Sequence, residues 1–129
     1  MKKIIWSLAL VIMAALGSCS SDDGSAPQSR EMKYEITGNY SGEMVIVYSD
    51  EGGNQQIAEA ESLPWSKSVT IDGDVSVIVL GASNSVGNPG NEGETVLLKI
   101  YRGDSVVEES TVTAISDGYM NFAMTYEFD

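Results

Sequence analysis

From Met32 to the C-terminus, hydrophobic and polar residues alternate with a period of two, in short runs broken by clusters of Gly, Asn, Asp and Pro. Successive side chains of a strand point to opposite faces, so this pattern predicts strands with one buried and one wet face. The clearest case is the last run, where Met120, Phe122, Met124, Tyr126 and Phe128 share one face and Asn121, Ala123, Thr125 and Glu127 the other. Residues 95–101 would turn Val96, Leu98 and Ile100 inward, and residues 32–36 would do the same with Met32, Tyr34 and Ile36. Residues 44–48 and 75–80 are nearly continuous apolar runs, which suits central strands covered on more of their surface. No segment carries a helical period. The expected fold is an all-β, antiparallel immunoglobulin-like β-sandwich of about seven strands over residues 32–129.

Glycine-bearing clusters punctuate the runs. Asp50-Glu51-Gly52-Gly53-Asn54, Asp72-Gly73-Asp74 and Arg102-Gly103-Asp104 each offer a glycine for the positive φ of a tight turn and read as hairpins. The longest irregular stretch, residues 83–94, holds three glycines, three asparagines and Pro89. It is expected to be a mobile loop at one end of the sandwich and the first candidate for binding, through Asn84, Asn88 and Asn91. In Leu63-Pro64-Trp65, proline fixes the strand entry, and Leu63 and Trp65, two apart, point the same way. Trp65 is then either an indole plugging the end of the sandwich or an exposed recognition anchor.

The N-terminus follows a different pattern. Met1-Lys2-Lys3 is basic, residues 4–15 are apolar except for Ser7, and Leu16-Gly17-Ser18-Cys19 follows. A charged start and an apolar core in that order mark a signal peptide, and the apolar stretch falls short of the about 20 residues that span a bilayer. The four residues ending at Cys19 resemble the lipobox of bacterial lipoproteins. That implies cleavage after residue 18 and attachment of lipid to Cys19, against the alternative of an uncleaved transmembrane anchor. Ser20-Ser21-Asp22-Asp23-Gly24-Ser25 resembles the export signal that sends Bacteroidota lipoproteins to the cell surface, and equally suits a plain polar linker. Residues 19–31 are expected to be a tether, of which the eleven from Ser20 to Arg30 reach at most roughly 35 Å.

Removing residues 1–18 of 129 leaves 111, the size of one domain. It also removes two of the seven basic residues, leaving five against nineteen acidic ones and a net charge of −14. Such a field repels nucleic acid and favours cationic partners, so no nucleic-acid role is expected. The chain has no His, which removes histidine metal sites and Ser-His triads, and with its one Cys acylated no free thiol remains for a disulfide or a nucleophile. Glu59 with Glu61 and Glu108 with Glu109 are the paired carboxylates, in a domain too open to raise the pKa of either pair for acid catalysis. No enzyme, metal or cofactor is expected. Asp72-Gly73-Asp74 could lend oxygens to Ca²⁺ but lacks the spaced ligand set of a calcium loop, and turn chemistry explains it equally. Arg102-Gly103-Asp104-Ser105 matches the tripeptide that integrins recognise and also the letters of a two-residue turn.

Three segments carry a family resemblance: Tyr34-Glu35-Ile36-Thr37-Gly38, Val45-Ile46-Val47-Tyr48-Ser49-Asp50, and Leu63-Pro64-Trp65-Ser66-Lys67-Ser68-Val69. With Leu98-Lys99-Ile100-Tyr101-Arg102-Gly103-Asp104-Ser105-Val106-Val107-Glu108, this order resembles the MmpS family of small membrane-anchored proteins, over about residues 33–112. The resemblance implies a small immunoglobulin-like sandwich that serves as accessory subunit of a resistance-nodulation-division transporter. This chain has a lipobox where members usually carry a transmembrane helix, and it lacks their late cysteine pair. The expected protein is therefore a lipid-anchored accessory or binding subunit of an envelope transport or assembly complex, its partners the membrane, through Cys19, and an envelope protein. The alternative is a surface-exposed adhesion or ligand-binding module. Either would be an outer-membrane lipoprotein, facing outward or toward the periplasm.

Overall fold

The computed structural model describes residues 29–128; the expected signal peptide, Cys19 and the acidic stretch after it lie outside them. Eight strands follow one another: β1 (Glu31–Gly38), β2 (Met44–Ser49), β3 (Gln55–Ala60), β4 (Trp65–Thr70), β5 (Val77–Asn84), β6 (Thr95–Arg102), β7 (Ser105–Thr113) and β8 (Asn121–Glu127). They form two sheets of order β4-β1-β6-β7 and β3-β2-β5-β8, every neighbouring pair antiparallel. Among the described residues the one helical element is a short 3-10 turn, Ser116–Gly118. The antiparallel β-sandwich is thus the fold, with eight strands where about seven were expected.

The alternation places the core as expected. Met32, Tyr34 and Ile36 of β1 and Val96, Leu98 and Ile100 of β6 are buried, facing Met44, Ile46, Ile78, Leu80 and Met124 of the other sheet. Burying a large apolar side chain stabilises by about 1.5–3 kcal/mol, so these strands form the thermodynamic centre of the domain. The two apolar runs do become central strands, β2 and β5. Polar groups at this depth are satisfied: the Tyr34 hydroxyl donates to the Ser49 carbonyl at 2.7 Å, and Ser49 Oγ accepts from the Val79 N–H at 2.9 Å.

Three boundaries differ from the expectation. β5 begins at Val77 and continues to Asn84, taking Ser83 and Asn84 out of the expected loop. Glu31 opens β1, and Arg30 is already bound to the fold, so the folded domain begins within the stretch 19–31 that was expected to be a tether. Asp72-Gly73-Asp74 is no hairpin. It carries the chain from β4 in one sheet to β5 in the other, and Gly73 takes no positive φ. The other two clusters are hairpins, with Gly53 at φ 82° and Gly103 at φ 61°.

Antiparallel order gives the sandwich two distinct ends. The start of β1, the end of β8 and the turns around residues 50–54, 71–76 and 103–104 lie at one, here called basal. The connections 39–43, 61–64, 85–94 and 114–120 lie at the other, apical end.

Candidate functional site

The apical end is built around a buried tyrosine. Tyr40 donates its hydroxyl to the Gly118 carbonyl at 2.6 Å and accepts from the Gly90 N–H at 2.8 Å, joining three connections at one atom. Only glycine fits around it. A Cβ on Gly118 would strike the Gly90 carbonyl, one on Gly42 the Gly90 nitrogen, and one on Gly90 the Tyr40 ring at 2.7 Å. The expected mobile loop is therefore stitched down. Glu43 and Asn88 pair through the Glu43 N–H and Asn88 carbonyl at 2.8 Å, and Asn88 Nδ2 donates to Glu43 Oε2 at 2.7 Å. Glu94 Oε1 accepts from the Asn91 and Ser41 backbone N–H groups and from Ser41 Oγ, at 2.7, 3.1 and 2.8 Å. These bonds, the Asn91 backbone first, hold the Glu94 carboxyl below its ordinary pKa.

The three asparagines expected to bind a partner each bond to another part of the chain, Asn88 and Asn91 while remaining exposed. Asn84 is a β5 residue whose Oδ1 accepts from the Met120 N–H at 3.1 Å, and Asn91 Nδ2 donates to Ser41 Oγ at 3.3 Å. Short polar side chains suit local backbone pairing as well as they suit ligands, so their letters alone cannot separate the two roles. Trp65 is half-buried, its ring 5.7 Å from that of Tyr48 in the opposite sheet, with Leu63 packed on the same core. It closes the side of the sandwich at edge strand β4 rather than plugging an end, which is the packing role and not the exposed anchor.

What the apical end does offer is apolar. Val112, Thr113, Ile115, Tyr119 and Met120, with Asn84 and Asn121, line a groove of about 370 Å³. Ile115 and Tyr119 on its lip are 65% and 49% exposed, and Val86 on the neighbouring connection is 88% exposed. Large apolar residues gathered at one end of a soluble surface are what a protein contact uses. Alternation arguments pass over them because they sit in turns. Their sequence signal is a lone Ile115 and Tyr119 around Ser116-Asp117-Gly118.

The basal end carries the two other sequence candidates, and arginines occupy both. Arg30 donates to the carbonyls of Val75, Asp72 and Gly73 at 2.8, 3.2 and 3.3 Å, so a guanidinium already occupies the backbone oxygens of this turn. Among the described residues no group of three or more acidic, His or Cys side chains could hold a metal ion. In Arg102-Gly103-Asp104, the arginine is half-buried, donating to the Ser29 carbonyl at 2.7 Å and the Tyr126 hydroxyl at 3.0 Å. That tip lies at the same end as the start of β1. The larger basal hollow, about 520 Å³, is lined by Glu31, Lys33, Glu51 and Asp104 among others and is open and charged.

The carboxylate pairs lie on or beside strands. Glu59 and Glu61 flank the end of β3, while Glu108 and Glu109 are neighbours on edge strand β7. Compared with known proteins, the chain matches no protein-family model and no curated protein.

Proposed function

We propose that this protein is a lipid-anchored, non-enzymatic subunit of the bacterial cell envelope that holds another envelope protein against its apical groove. The observation that carries this reading is the position of Ile115 and Tyr119: exposed apolar residues frame a groove at the end opposite the root of the tether. The stitched connections beneath them support it, because a pre-organised surface loses little entropy on binding. The MmpS-like resemblance suggests the kind of partner, a transport or assembly complex. The lipobox suggests the place, an outer-membrane lipoprotein that faces either outward or toward the periplasm.

A photoreactive residue at Tyr119 in living cells should form an adduct with an envelope transport or assembly protein, whereas one at Lys99, on the outer face of β6, should not. Adducts from Lys99 alone would move the contact away from the groove. Cys19→Ala should abolish lipid labelling and release the domain or leave the precursor uncleaved; unchanged labelling would remove the anchor from the proposal. Protease treatment of intact cells then fixes the side of the membrane, since only an outward-facing domain is shaved off.

A further inference from the structure

The outer faces of the two sheets differ in kind. On the first sheet the middle is charged: Lys33 pairs with Glu35 at 3.5 Å, Glu35 lies opposite Lys99, and Lys99 opposite Glu109. On the second sheet the middle row runs Ile57–Val47–Gly81–Ala123 across all four strands, without a charge or a hydrogen-bonding side chain. Val45, Val77 and Val79 extend the apolar area above and below it. The outward-facing carboxylates, Glu59 and Glu127, stand at diagonally opposite corners. Ile57 is 73% exposed and Val77 45%, so no other part of the described chain covers them. The apolar runs of β2 and β5 therefore have one face in the core and a second face that no other described residue covers.

We propose that this face is the contact between two copies of the chain, related by a two-fold axis parallel to the strands. The register makes the face complementary to itself about that axis. Rotation lays each row on its own reverse, so Ile57, the largest residue of the middle row, meets Ala123 of the second copy, and Val47 meets its Gly81. Gly81 is the recess that receives Val47. A Cβ there would come within 3.2 Å of the Ala123 Cβ, so the site favours glycine and leaves a trough in the sheet. In the row above, Glu59–Val45–Ser83–Asn121, the carboxylate meets an asparagine amide instead of another carboxylate. The same axis keeps both basal ends pointing one way, so two tethers can reach one membrane. A face four strands wide, at about 4.8 Å per strand and roughly six residues of about 3.4 Å, covers about 400 Å². That is half of the about 800 Å² per partner of a standard interface, so the pair is weak in solution and forms where copies are held close together.

The test uses the full-length chain in living cells. With Val47→Cys beside the axis, a short bis-maleimide should give a species of twice the chain mass above the background of the parent chain. Ser68→Cys, on the outer face of the first sheet, should give none. Adding Ile57→Asp should abolish the Val47→Cys dimer, and adding Ala123→Lys to that chain should restore it, because the new charges meet across the axis. Ile57 and Ala123 are both exposed, so neither change threatens the core. A dimer indifferent to Ile57→Asp, a failure of Ala123→Lys to restore it, or an adduct of another mass would each overturn the two-fold pairing.

Discussion

Tyr40 shows how much of the apical end hangs on single atoms. Its hydroxyl is the shared partner of the Gly118 carbonyl and the Gly90 N–H, and the side chain is 4% exposed. Tyr40→Phe keeps the ring and strands both backbone groups, at about 1–3 kcal/mol for each one left unsatisfied. Urea unfolding should show the loss as a lower midpoint with an unchanged slope. Trp65→Ala should cost about 2–4 kcal/mol, somewhat less than a wholly enclosed aromatic, because the ring is half-buried against Tyr48. A stable Trp65→Ala domain would return this residue to the binding surface. Leu63-Pro64-Trp65 suggested packing for Trp65 by strand spacing, and both large side chains do pack on the core, although β4 begins only at Trp65. The fate of Asn84, Asn88 and Asn91 was not legible, because what they bond to lies on connections far away in sequence.

At the scale of elements, β1, β6 and β8 could be read from alternation because each buries one row of large side chains. Edge strand β3, with Gln55, Gln56 and Glu59, carries no such row; it is a strand because β2 pairs with it. The connection 85–94 was misread for a related reason. Glycine and asparagine signal irregular backbone, but whether that backbone moves depends on partners such as Glu94 and Ser41. Glu94 also gives this element a pH dependence. Its folded-state pKa is depressed, so the stabilisation it adds is complete above the ordinary carboxylate range and is lost as the pH falls through the lowered value. The thermal midpoint should therefore fall on acidification, and Glu94→Gln should flatten that limb while leaving the neutral-pH profile level. An unchanged acidic limb in Glu94→Gln would remove the carboxylate from this role.

For the whole molecule, the sandwich was legible and its surface was not. A strand pattern tells which residues face inward; it does not tell whether the outward row of β2 and β5 is bare, since a buried sheet and an unpartnered one use the same valines. The two ends likewise emerge only from topology. They put Arg30 and Arg102 together around the C-terminal ring of Phe128, at 4.1 and 4.9 Å from its centre. This basal clasp fastens Ser29 and Arg30 to the end of the last strand and to the 71–76 connection.

Its consequence is mechanical. A pull on the N-terminal segment enters the fold at Arg30 and runs along β1, which is hydrogen-bonded on both sides, to β4 and to β6. Force directed along a doubly paired strand loads its ladder bonds together, in shear, instead of opening them one after another like a zip. The clasp must slip before that ladder feels the load, so it is the first element to bear a pull on the N-terminal segment. Stretching single molecules from the N-terminal segment should give a rupture force that drops in Arg30→Ala, because forced unfolding reads the barrier on the unfolding side. An equal force in both proteins would mean that β1 alone bears the strain.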